Sequence, residues 1–150
     1  MIEISAESLF QALDNYIPEV AYYLDLHSGA VLMRNLEMGA DDDGAGMVDA
    51  EPSRYLAIPP VSNRDALGIR ETFAEDVAPP YARPALRRAL DGRSPFHRFK
   101  DSVHTWPDIV DAWRLHECQS YRAVAEAWLQ AEGIDYSLPS TEVEAAAAHL

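Results

Sequence analysis

Apolar residues first fall into register in SAESLFQALDNYI, where Leu9, Phe10 and Leu13 take the spacing of a short amphipathic helix. Ser5 stands where an N-cap would, and Pro18 marks the approach to the helix end. The period then changes. In VAYYLDLHSGAVLMR, Tyr22, Leu24 and Leu26 alternate on one face, Ser28-Gly29 supplies a turn and Ala30 to Met33 follow, which predicts a β-hairpin. EMGADDDGAGMVDAEPS carries neither period. It predicts a mobile acidic surface loop over about residues 37–52, because so little apolar surface cannot offset the entropy of ordering. RYLAIPP follows as a third short strand, closed by Pro59-Pro60 because proline cannot donate to a ladder. The three strands are expected to form an antiparallel meander.

Helical spacing dominates afterwards. Ser62, with Asp65 three residues on, has the form of an acidic capping box and opens a helix through Phe73. A helix from Tyr81 to Leu90 turns Leu86, Ala89 and Leu90 inward and ends at Asp91-Gly92. Ser94-Pro95 opens the next, since serine is a favoured N-cap and proline is tolerated in the first turn. On it, Phe96, Phe99, Val103 and Trp106 form the apolar stripe. Thr105 to Asp108 start a further helix with Ile109, Val110 and Trp113 on one face. Its phase slips near Glu117, so Ser120 is expected to cap a separate helix that buries Val124, Trp128 and Leu129 and stops at Gly133. The fold class predicted is α+β, a single domain over residues 1–136. It has a small antiparallel sheet of about three strands and a mostly helical C-terminal half packed around Trp106, Trp113 and Trp128. Residues 137–150 form a C-terminal tail with few large apolar anchors.

Composition narrows the class. A chain of 150 residues with 48% hydrophobic content is long enough to bury a core, and its apolar runs fall far short of the roughly 20 residues that span a bilayer. MIEISAES lacks a basic segment followed by an apolar one, and the lone Cys118 cannot form an internal disulfide, so a cytoplasmic location is expected. The net charge of −13 opposes nucleic acid at long range and favours encounter with basic partners. It is unevenly placed: residues 1–52 hold eleven acids and one arginine, residues 53–104 nine cations and six acids, residues 105–150 two cations and eight acids.

The positive charge concentrates in RPALRRALDGRSPFHRFKDSVH, where Arg83, Arg87, Arg88, Arg93, Arg98 and Lys100 make up half of the twelve Lys and Arg residues. One expectation is an anion-binding face of Arg93, Ser94, His97, Arg98 and Lys100, at the start of the helix that opens at Ser94, where free N–H groups and the helix dipole meet these cations. The plainer expectation is a solvated face whose ion pairs are each worth about 0 to 1 kcal/mol. A third is nucleic-acid binding, since helices 81–91 and 94–104 superficially resemble a helix-turn-helix. No Walker-type loop, G-x-S-x-G elbow, CxxC pair or HExxH motif occurs. His97, His104, His116 and Cys118 are the candidate metal ligands, but His116 and Cys118 project about 200° apart on a helix and grip one ion poorly. Asp41, Asp42 and Asp43 lie in the expected loop without the rigid support that acid–base chemistry requires. No metal, no cofactor and no catalytic residues are predicted.

The segments YLDLHSGAVL, YLAIPP, ALDGRSPFHRFKD and AEAWLQAEGI, in this order, resemble an uncharacterised family of small bacterial proteins known by a UPF-series number. The resemblance spans about residues 20–134 and is most specific at Gly92-Arg93, Phe96, Arg98, Phe99, Lys100 and Asp101. The chain departs from the family pattern at Trp113-Arg114-Leu115 and in the long acidic segment. The resemblance implies an architecture and no activity. The expected function is therefore a small acidic cytoplasmic binding or regulatory protein without catalytic activity, such as an inhibitor or immunity-type module for a basic protein partner. A nucleic-acid-associated regulator using residues 83–104, and an enzyme acting on an anionic substrate, are the alternatives. A small anion is a further candidate ligand, and the oligomeric state is left open.

Overall fold

The computed structural model describes residues 1–37 and 43–148. The fold is α+β, with two compact units: Met1–Val61 with Tyr121–Thr141, and Ser62–Ser120 with Glu142–Leu150. One long helix contributes its first half to the second unit and its second half to the first.

The first unit begins with strand β1 (Ile2–Glu3) and helix α1 (Ala6–Leu13). Ser5 caps α1 as its sequence predicts, its hydroxyl accepting from the Ser8 N–H at 3.3 Å. Strands β2 (Val20–Asp25) and β3 (Val31–Asn35) form the predicted hairpin. Helix α2 (Asp43–Ala50) and a short 3₁₀ turn (Pro52–Arg54) then lead to β4 (Tyr55–Ala57). The sheet order is β3-β2-β4, so β2 is central and the strands do not form a meander. The connection carrying α2 is long enough to return the chain to the far side of β2, where Tyr23 pairs with Ala57 and Asp25 with Tyr55. The mobile loop expected over 37–52 is likewise corrected over 43–50, which is helical and buries Val48. Asp41 and Asp42 lie outside the described residues, and Asp43 opens α2.

The second unit begins with α3 (Asn63–Thr72), capped by Ser62, whose hydroxyl accepts from the Asp65 N–H at 3.1 Å. The helix runs on into a π-helical turn over Phe73–Val77. Helices α4 (Arg83–Leu90) and α5 (Pro95–Val103) follow close to their predicted places. Phe73, Leu86, Phe99, Val103 and Ile109 are buried, and Trp106 and Trp113 pack half-buried against them. Three rings meet edge to face, with centroids 6.3 Å apart for Phe73 and Phe99, 5.3 Å for Phe73 and Trp113, and 4.9 Å for Phe99 and Trp113.

Helix α6 (Pro107–Ala131) is continuous, against the expected break near Glu117. Ser120 caps nothing: its hydroxyl donates to the His116 carbonyl at 2.8 Å, one turn back in the same helix. The inward line runs through Ile109, Trp113, His116, Tyr121, Ala125 and Leu129 at steps of three to five residues. A histidine at the middle and a small alanine near the end interrupt its apolar signal. Tyr121, Ala125 and Leu129 are buried in the first unit, whereas Val124 is 37% exposed and Trp128 half-buried. Trp128 thus belongs to the first unit and not to the cluster of Trp106 and Trp113. Strand β5 (Tyr136–Ser137) then pairs in parallel with β1, Ile2 opposite Tyr136, and helix α7 (Glu142–Ala148) closes the described chain in the second unit.

Candidate functional site

The five residues of the expected anion site are placed on or just before the first two turns of α5, and all five are exposed. Ser94 occupies the N-cap position but takes a left-handed backbone, φ 48°, and its side chain makes no capping bond. The Arg98 guanidinium turns back to the Asp91 carbonyl at 3.3 Å and lies over Gly92. His97 Nε2 sits 3.3 Å from the Asp101 carboxylate one turn on, with both side chains exposed. Arg93 and Lys100 are exposed. Of the other cations in the stretch, Arg83 donates to the Ala78 carbonyl at 2.8 Å, and Arg87 lines a groove of about 350 Å³ with Glu71, Glu75 and Asp91. Carbonyls and carboxylates of the same unit therefore engage or flank three of the six cations, Arg83, Arg87 and Arg98.

A cation the sequence reading passed over sits deeper. Arg70 is 8% exposed, with its guanidinium 4.4 Å from the Phe96 ring centroid and 5.3 Å from that of Trp113, while Nη1 donates to the Ala66 carbonyl at 2.9 Å. Phe96 is thus a platform for a cation as well as part of an apolar stripe. The sequence signal was present: Ala66, Arg70 and Phe73 share the buried face of α3 at helical spacing. Beside them, His116 Nε2 lies 3.0 Å from the Ile69 carbonyl, and its ring is 5.5 Å from Phe73. The Ile69 carbonyl lies in the last turn of α3, ahead of the π-helical turn, and also accepts from the Phe73 N–H. His116 also lines, with Arg64, Asp65, Glu71 and Ser120, a groove of about 520 Å³ along α3.

In the first unit the principal polar cluster surrounds Asp25 at the end of β2. Arg54 grips its carboxylate in two-pronged fashion, Nε to Oδ1 at 2.9 Å and Nη2 to Oδ2 at 2.8 Å. The Ser28 hydroxyl and the backbone N–H groups of His27 and Ser28 donate to it as well. The guanidinium holds the Asp25 carboxyl well below the usual carboxylate range, against the opposite pull of burial, and the other donors add to the effect. This explains the aspartate of YLDL: it ties the hairpin turn to the start of the third strand. Elsewhere in the unit, the buried Tyr121 phenol donates to Asp14 at 2.7 Å and lies 3.5 Å from the Tyr16 hydroxyl. Burial, with those two partners, pushes the phenol above its ordinary ionisation range.

A groove of about 610 Å³ separates the first half of α6 from α7. Leu115, Val143, Ala112, Ala146 and Ala147 line it together with Asp111, Arg114 and Glu142. Among the described residues, no group of three or more His, Cys, Asp or Glu side chains is placed to hold a metal ion, and no helix is long and apolar enough to cross a membrane. His116 and Cys118 lie on α6, Cys118 half-buried, and His97 and His104 are exposed on and after α5.

Comparison with known proteins agrees with the motifs. The profile of an uncharacterised protein family, UPF0158, matches residues 2–145. The UPF0158 protein PA5073 of Pseudomonas aeruginosa is 35% identical over 127 residues, which cover 85% of this chain and 81% of the relative. No solved structure matches the chain significantly. The chain belongs to the UPF0158 family.

Proposed function

We propose that this chain is a cytoplasmic, non-catalytic binding or regulatory protein whose acidic first unit recognises a basic surface on a protein partner, as an inhibitor or immunity module would. The observation that carries this reading is the charge of that unit: fourteen acids against three arginines, where the second unit has eleven acids against nine Lys and Arg. All three arginines are engaged internally. Arg54 holds Asp25, Arg34 pairs with Asp49 at 3.7 Å, and Arg122 donates to the carbonyls of Leu138 and Pro139. Glu3, Glu19, Glu37 and Glu132 are exposed, so the unit presents carboxylates outward while its cations serve its own structure. Such a field raises encounter rates with basic partners and is screened by salt over a Debye length of about 10 Å at 0.1 M.

The test is capture from a bacterial lysate on immobilised protein at low and high salt. A basic protein retained at low salt and released at high salt, and lost when Glu3, Glu19 and Glu132 are reversed to Lys, is the expected result. Retention of nucleic acid instead, abolished by Arg93→Ala with Arg98→Ala, would move the reading to the cations of α5.

A further inference from the structure

Arg70 stands where its own helix offers it no counter-ion. One turn to either side on α3 are Ala66, Leu67, Phe73 and Ala74, all apolar, and the rings stacked on its guanidinium are those of Phe96 and Trp113. Among the described residues no carboxylate pairs with it. Withdrawing a cation from water to 8% exposure is costly unless other charges or hydrogen bonds replace the solvent, and stacking on two rings offsets only part of that cost. The hydrogen bonds are also incomplete. The Ala66 carbonyl takes an N–H of Nη1, while Nε and Nη2 have no hydrogen-bond partner among the described residues. Neither nitrogen is sealed off, since Arg34 Nε is the one side-chain nitrogen or oxygen among the described residues that is both fully buried and unbonded. Phe96 and Trp113 are themselves half-buried, so the stack stands at the edge of the core.

Held by two rings and tied at Nη1, the guanidinium is oriented before any ligand arrives, and its unbonded edge carries Nε and Nη2 side by side. That is the edge with which an arginine grips an oxyanion in two-pronged fashion. The chain uses it so elsewhere: Arg54 holds the Asp25 carboxylate through Nε and Nη2. In Arg70 the same edge is open. We infer that Arg70 anchors a binding site for a small oxyanion, a carboxylate or phosphate group received by Nε and Nη2 at the rim of the aromatic cluster. The surrounding charge agrees. From Arg93 to Lys100 the chain carries Arg93, Arg98 and Lys100 and no acid, and Phe96, on which the guanidinium stacks, lies in the first turn of α5, whose positive end favours an anion. Water can meet the same N–H groups, but it brings no charge to a cation cut off from most of its solvent. At 8% exposure the guanidinium is recessed from a duplex or a flat protein surface, so the ligand is a small molecule. The inference is independent of the acidic surface of the first unit.

The decisive measurement follows the side-chain Nε–H resonance of Arg70, assigned through its backbone in isotope-labelled protein, by nuclear magnetic resonance. The full chain is titrated separately with inorganic phosphate and with acetate, against sodium chloride at matched ionic strength. The resonance is expected to move saturably with phosphate, acetate or both, with half-saturation at about 10 mM or below, and to hold its position in chloride. Saturation by phosphate alone identifies a phosphate ligand, and by acetate alone a carboxylate. Thermal melts supply a second reading. At about 50 mM of the anion that saturates, the melting temperature of the wild type is expected to exceed its chloride control by about 2 °C or more. That excess is expected to vanish in Arg70→Lys, which keeps the charge and loses the fork. Arg93→Ala with Arg98→Ala is expected to weaken binding by no more than about threefold, because those cations are exposed and screened. A resonance that stays in place, or that follows chloride equally, would overturn the site and leave Arg70 a packing group. Binding that survives Arg70→Lys and is lost in the double variant would overturn it in favour of the exposed face of α5. The wild-type titration decides alone if Arg70→Lys does not fold.

Discussion

The two units are built by opposite means. The first closes through residues far apart in the chain: Ile2 pairs with Tyr136, and Asp14 accepts from Tyr121. The second is assembled mostly from successive helices, with an aromatic cluster at its centre and an arginine stacked on it. Their charge differs in the same sense. The acidic unit uses its few arginines to fix turns and carbonyls, and the mixed unit can place one arginine, Arg70, largely out of water. A surplus of one charge thus leaves the minority charge structural and the majority charge facing outward.

The contrast is broken most severely at the aromatic cluster. Phe99 is 1% exposed and meets both Phe73 and Trp113 edge to face, so Phe99→Ala is expected to destabilise the protein by about 3 to 5 kcal/mol. Its neighbour Lys100 is exposed, and Lys100→Ala is expected to change stability by less than about 0.5 kcal/mol. Urea unfolding of the two variants measures both. The reverse order would mean that α5 presents another face to the core.

How much of this was legible differs between the units for the same reason. In the second, each helix start carries a local signal, and Ser62 caps α3 as its spacing with Asp65 predicts. In the first, β1 and β5 have two residues each, too few for any period, and their pairing appears only when the chain is folded. The break expected in α6 arose because the inward line includes His116 and Ala125, which do not read as core. The face expected to bind anions was legible as charge, but the turn of Arg98 toward the Asp91 carbonyl depends on the positive φ of Gly92 and Ser94, which sequence spacing does not specify. Arg70 was hidden by its type, since a lone arginine on a helix is ordinarily solvated.

A second break falls in the acidic unit. Gly29 has φ 81°, and a Cβ there would overlap the Glu3 carbonyl of β1, so the hairpin turn needs glycine both for its backbone and for the strand that passes it. Gly29→Ala is expected to destabilise by at least about 2 kcal/mol, since the left-handed backbone alone accounts for roughly 1 to 2. A melt that leaves Gly29→Ala like the wild type would show that β1 does not lie against the turn.

The ion pair of Asp25 distinguishes the units by pH. Because its carboxyl titrates below its unfolded value of about 3.9, the stability it contributes is fully present above that pH and is lost as pH falls toward the lower folded value. The melting temperature of the wild type should therefore exceed that of Asp25→Asn near neutrality, and the gap should close below about pH 4. A gap that stays constant down to pH 2.5 would mean that hydrogen-bond geometry, and not the charge on Asp25, holds the turn.

The smallest effect sharpens the comparison most directly, because the same change is made in both units. Gly46 lies in α2 and Gly68 in α3, neither has a positive φ, and a Cβ at either meets nothing within 4 Å. Alanine at a helix-interior glycine reduces the freedom of the unfolded chain, so Gly68→Ala and Gly46→Ala are each expected to stabilise by about 0.5 to 1 kcal/mol, a rise in melting temperature of roughly 2 °C. The helices differ in what supports them. α3 has a serine cap and buries Ala66 and Arg70, whereas α2 has Val48 as its buried anchor. If α2 unfolds together with its unit, the two variants shift the melt alike. If Gly68→Ala raises the melting temperature and Gly46→Ala raises only the helical circular dichroism of the folded protein, α2 is a local helix that melts before the rest. The acidic segment would then owe its helicity to its own short-range propensity more than to the core it adjoins.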